Sequence, residues 1–113
     1  MPAAVWNLLI EQGATWEVVL TLTDRDLTGC TARMQVRETI ESPTALLDLS
    51  TAPGSGIVVT PGPPGTITLR LSDEETAAIA WRHGVFDLEL TDAYGDTDRL
   101  LKGEVSVDFE VTR

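Results

Sequence analysis

The side chains best equipped for chemistry in this sequence are one histidine, His83, one cysteine, Cys30, and several closely spaced carboxylates. A Ser–His–Asp site needs histidine as its base. His83 stands between Arg82 and Gly84, and no Gly-x-Ser-x-Gly elbow accompanies it. It is expected instead at the end of a short helix, where an imidazole can satisfy terminal carbonyls and suit the dipole. Cys30 falls in step with apolar positions of a strand pattern, as a small buried hydrophobe does. With no second histidine to activate it, it makes a poor nucleophile.

A structural zinc needs four sulfur or nitrogen ligands, which one cysteine and one histidine do not supply. Asp92, Asp96 and Asp98 crowd one turn, but their spacing departs from the helix–loop–helix calcium pattern, and aspartates favour turns in any case. Gly62 and Gly65 lie among prolines with no Gly-Lys-Ser after them, so no phosphate loop is present. Asp87 and Glu89 project from one strand face, as the paired carboxylates of a glycosidase would. A solvated or partner-facing surface is the simpler reading. No catalytic set, metal site or cofactor site emerges, and an enzyme is not expected. Of the three tryptophans, Trp16 sits in an apolar strand pattern. Trp6 and Trp81 are candidates either for the core or for anchoring a partner or a sugar.

These residues must be held by a chain of 113 residues, the length of about one domain, expected to span 1–113. Its composition is 42% hydrophobic and 23% charged, ordinary for a folded protein. The net charge of −10 disfavours nucleic-acid and anionic-membrane partners, which need a basic footprint. No long apolar run and no basic leader is visible, so synthesis and folding in a cytoplasm are expected.

Period-two alternation dominates. Trp16, Val18, Leu20 and Leu22 share one face of a strand, and Cys30, Ala32, Met34 and Val36 share another. An apolar run from Val5 to Ile10 precedes the turn at Gln12-Gly13. A short strand is expected at Ala45 to Leu49. The segments 57–60 and 66–71 flank a proline–glycine insert and read as a hairpin. Ser72-Asp73-Glu74-Glu75 has the form of a capping box, predicting a helix that continues through Trp81 and ends at Gly84. A second hairpin is predicted from Val85–Thr91 and a long strand over 99–112, with Gly103 marking a bulge and Leu101, Val105, Val107, Phe109 and Val111 facing inward. The sum is an all-β, antiparallel, immunoglobulin-like sandwich of seven or eight strands with one short helix.

The run Gly65–Ser72, then Glu75–Ala78, then Gly84–Leu90, together with Arg99–Val107 and the closing Val111-Thr112-Arg113, resembles a group of small tailed-phage virion proteins. The stretch around Gly13-Ala14-Thr15-Trp16 resembles their start. Where that group has Tyr-Asp, this sequence has Phe86-Asp87. The group comprises β-sandwich collar proteins of the long-tail-fibre type and is similar to the N-terminal domain of upper baseplate proteins. The resemblance implies a structural virion protein of the tail. It would join other tail or baseplate proteins to fibres or receptor-binding proteins, within a homo-oligomeric ring. The expected interface is an outward row of Asp87, Glu89, Glu104, Asp108 and Glu110, with Trp6 and Trp81. A capsid decoration or head–tail joining protein, a tail carbohydrate-binding module and, last, a small hydrolase are the alternatives.

Overall fold

A computed structural model describes residues 3–112. Nine strands and one short helix follow one another: β1 (Ala4–Val5), β2 (Leu8–Glu11), β3 (Trp16–Leu22), β4 (Thr31–Arg37), β5 (Ala45–Ser50), β6 (Ile57–Thr60), β7 (Gly65–Leu71), α1 (Asp73–Ala77), β8 (His83–Thr91) and β9 (Thr97–Asp108). They form two sheets. The larger, sheet A, runs β1-β9-β8-β4-β5, with β2 also paired to β9; the smaller, sheet B, runs β3-β7-β6. The expected β-sandwich with one short helix is what the chain builds.

The alternating residues place the core between the sheets. Sheet A turns Ile10, Met34, Val36, Leu88, Leu90, Leu101 and Val105 inward, and sheet B turns Trp16, Leu20, Ile67, Leu69 and Leu71 to meet them. Leu27 plugs one end, its side chain lying where a Cβ on Gly65 would stand. The loop carrying Leu27 is braced by an Arg25–Asp98 ion pair at 2.9 Å. Asp26 accepts from the Thr28 hydroxyl at 2.7 Å and the Thr28 amide at 2.9 Å. These bonds hold the Asp26 carboxyl below its ordinary range. That bracing is present above the ordinary aspartate pKa and is lost as pH falls through the lowered one.

Several expectations need correction. The turn at Gln12-Gly13 forms as expected, but the apolar run before it lies in the other sheet from β3. It forms β1 and β2, which lie parallel to β9, with Val5 beside Lys102 and Leu8 beside Val105. Alternation specifies a strand but not its neighbour, so sheet A is mixed rather than purely antiparallel. The helix stops at Ala77, capped by Ala78. Carbonyls that would have continued it bond elsewhere: Gln12 Nε2 donates to the Ile79 carbonyl at 2.8 Å, and the Val107 amide to that of Arg82 at 2.8 Å. His83 and Gly84 therefore begin β8 rather than ending a helix, and His83 is exposed opposite Ser106. Gly84 is needed for packing, since a Cβ there would stand 2.6 Å from Val36 Cγ1. The bulge in β9 falls at Leu100, because Leu88 pairs with Leu101 while Glu89 pairs with Arg99. β9 ends at Asp108, and Val111 is 93% exposed instead of facing inward.

The capping box is present in full. The Glu75 amide donates to Ser72 Oγ at 3.1 Å, and the Ser72 amide to Glu75 Oε1 at 3.0 Å. Its purpose in the fold is to aim Thr76, which is fully buried. Thr76 Oγ1 donates to the Ala14 carbonyl at 2.8 Å and accepts from the Gly13 amide at 3.0 Å. One hydroxyl thereby pins the turn that carries the chain from sheet A into sheet B.

Leu88→Asp should abolish folding, because Leu88 is fully buried and a buried, unpaired carboxylate costs about 3–5 kcal/mol against a total stability of roughly 5–15. Glu89→Ala, one residue on and facing solvent, should shift stability by less than about 0.5 kcal/mol. Urea titration followed by circular dichroism checks the pair, and equal stability would contradict the register. Thr76→Val keeps the shape but orphans the Gly13 amide and the Ala14 carbonyl. It should cost about 1–3 kcal/mol in the same titration.

Candidate interaction surface

The outer face of sheet A is assembled by cross-strand register. One row reads Arg99, Glu89, Arg33 and Ser50. The next reads Val5, Lys102, Asp87, Gln35 and Asp48, and a third Glu104, Val85, Arg37 and Ala45. Opposite charges stand beside each other along these rows, an arrangement worth roughly 0.2–1 kcal/mol per pair. Arg99 lies 3.9 Å from Asp87 and Arg33 lies 3.6 Å from Asp48, all partly exposed and so loosely held.

This face is concave. An open groove of about 510 Å³ runs over it, with Val5 on one wall and Ile40 on the other. Ile40, 83% exposed, belongs to the loop between β4 and β5. That loop is held in place from within the groove: Arg37 Nη1 donates to the Ser42 carbonyl at 2.8 Å and Nη2 to Gln35 Oε1 at 2.9 Å. The Thr39 amide closes the loop on Ser42 Oγ at 3.1 Å. Val5, 67% exposed, is fixed by the passage of the N-terminal segment over β9. The Trp6 amide donates to the Lys102 carbonyl at 2.9 Å, and the Glu104 amide to Asn7 Oδ1 at 3.2 Å. The Trp6 carbonyl occupies the place a Cβ on Gly103 would take, so only glycine fits there.

The structure brings part of the expected interface together and scatters the rest. Asp87, Glu89 and Glu104 line the groove, but so do Arg33, Arg37, Arg99 and Lys102, half of the eight basic residues of the chain. The expected single-sign acidic row is thus a mixed-charge floor, because β4 and β9 supply cations that the reading of β8 alone did not place. Asp108 lies outside the groove, at the end of β9 beside Glu11. Glu110 lies past the strand: its amide donates to Gln12 Oε1 at 2.9 Å and its carboxylate abuts Gly13. Trp6 is 43% exposed in the link between β1 and β2, and Trp81 packs partly buried against the core; neither lines the groove. Ile40 carries no signal in the sequence, since a lone apolar residue in a loop has no period, and Val5 reads there only as the start of an apolar run, because its place on the outer face follows from its pairing with Lys102.

The remaining candidates for chemistry are accounted for by local structure. Asp92 Oδ1 accepts from the Tyr94 and Asp96 amides at 2.9 and 3.0 Å, which shapes the β8–β9 turn, and Asp98 is paired with Arg25. Among the described residues, no three His, Cys, Asp or Glu side chains gather to hold a metal ion. No helix among them is long and apolar enough to cross a membrane. No protein-family profile and no curated protein matches the chain.

Proposed function

We propose that this chain is a structural adaptor of a tailed-phage virion, working through protein–protein contacts at the tail collar or baseplate. The observation that carries the reading is the groove on sheet A. It is broad and open, walled by exposed Val5 and Ile40, with a floor of alternating charges on regular strands. Apolar walls around a patterned polar floor suit a protein partner. The walls exclude water while the charges fix orientation and register more than they add affinity. The resemblance of Gly65–Arg113 to small virion β-sandwich proteins favours a tail or baseplate neighbour. Repetition of such contacts by rotation would give a ring. Because the floor carries both signs, the matching surface on the neighbour also carries both.

A photo-crosslinking residue in place of Ile40, carried through phage assembly, tests the reading. The expected product is a crosslink from the purified virion to one tail or baseplate protein. The same residue in place of Val111, away from the groove, should not give that product. Absence of the chain from purified virions would overturn the proposal.

A further inference from the structure

The sheets present their edges very unequally. The β1–β2 edge is interrupted at Trp6 and Asn7, and β5 carries an extra residue, Leu46, where its register with β4 shifts. β6 has only four residues; the Leu27 amide bonds the Pro61 carbonyl just beyond it at 3.0 Å, and a Ser50–Gly56 bridge closes its start. β3 differs from all of these. Its seven residues keep unbroken register with β7 and contain no proline and no lysine. Among the described residues, β7 is its one strand partner.

The direction of its free groups follows from one bond. The Arg70 amide donates to the Gly56 carbonyl at 2.8 Å, so Arg70, and in alternation Thr68 and Thr66, turn their main chain toward β6. Leu71, Leu69 and Ile67 therefore turn theirs toward Trp16, Val18 and Leu20 of β3. Glu17, Val19 and Thr21 are left with amide and carbonyl directed to the bare edge. Long, regular, unprotected edges of this kind are templates for another strand.

We infer that β3 is a self-pairing edge, joining two copies antiparallel about a two-fold axis at Val19. In that register Glu17 meets the partner's Thr21, Val19 meets the partner's Val19, and Thr21 meets the partner's Glu17. Each of these residues has both main-chain groups pointing outward, so every pair exchanges two hydrogen bonds. On the core side Trp16 falls opposite the partner's Leu22 and Val18 opposite the partner's Leu20, apolar against apolar. No like charges oppose each other, whereas a register centred on Glu17 would set glutamate against glutamate. Glu17 keeps its own Arg70, 3.1 Å away. On the outer face, Val58, Thr68 and Val19 already form one cross-strand row, with Val58 63% and Val19 51% exposed. Pairing continues that row through the partner's Val19, Thr68 and Val58, so two three-stranded sheets become one of six. The contact is isologous and independent of the groove on sheet A.

Sedimentation equilibrium of the full chain over a range of concentrations, with hydrogen exchange of the Glu17, Val19 and Thr21 amides, tests this. A concentration-dependent doubling of mass is expected, with those three amides slowing as the dimer fills. Val19→Pro removes only an outward amide, and Val19→Lys sets two charges against each other on the axis. Both should return the mass to that of a monomer, with the lysine variant deciding if the proline variant does not fold. Ile40→Lys, in the groove, should leave the dimer intact. A chain that stays monomeric at the highest concentration, or a dimer that survives Val19→Lys or is lost in Ile40→Lys, would overturn the inference. None of these results bears on the crosslink at Ile40, so the two proposals fail separately.

Discussion

A missing side chain at Gly103 is the constraint on which sheet A depends. Among the described residues, β9 is the longest strand and the only one flanked on one side by an antiparallel neighbour and on the other by parallel ones. The parallel neighbours are the two halves of the N-terminal segment, which must cross from one to the other at Trp6 and Asn7. The Trp6 carbonyl makes that crossing against the backbone of Gly103, where any Cβ would collide with it. Two bonds hold the crossing, one from the Trp6 amide to Lys102 and one from the Glu104 amide to Asn7. Beyond it, Leu8 and Ile10 are carried over the flank of the core and buried. Before it, Val5 is left standing as a wall of the groove. Core closure and surface shape are thus two consequences of one close approach.

Charge is distributed in a way that the total conceals. The chain has a formal charge of −10, yet half of its basic residues line the groove on sheet A, among three acids. Cross-strand alternation keeps the like charges of that face from opposing one another directly. The ion pairs there are long and exposed, so they contribute little stability. What they leave is a fixed pattern of alternating charge on regular strands, and patterns of that kind serve specificity more than stability. Other acids gather elsewhere, among them Asp73, Glu74 and Glu75 in the first turn of α1, where they suit the helix dipole, and Glu11 with Asp108 at the end of β9.

Local rules were legible in the sequence, and pairings between distant segments were not. Period-two alternation identifies the faces of β3, β4 and β8, since a one-residue slip would expose each whole set. The capping box at Ser72 and the hairpin around the proline–glycine insert depend on neighbours within a few residues and emerge as read. The N-terminal segment has the same alternation, but nothing in it tells parallel docking on β9 from a hairpin with β3. In the sequence Gly84 and Gly103 carry only local meanings, a helix terminator and a bulge. Their real constraint is contact with Val36 and with the Trp6 carbonyl, far away in sequence. The candidate interface residues are half legible for the same reason. Alternation put Asp87 and Glu89 outward, but only strand order shows that Arg33, Arg99 and Lys102 stand beside them.

The dependence of sheet A on one close approach is open to a direct measurement. In Gly103→Ala the added methyl group meets the Trp6 carbonyl, and the segment from Ala4 to Glu11 must shift or detach. Amide hydrogen exchange across the whole chain, compared with the parent protein, reads the result residue by residue. Loss of protection confined first to the Trp6 amide, β2 and the facing half of β9, with a stability lower by about 1–3 kcal/mol, is the predicted outcome. Unchanged protection of the Trp6 amide and β2, with unchanged stability, would contradict the account.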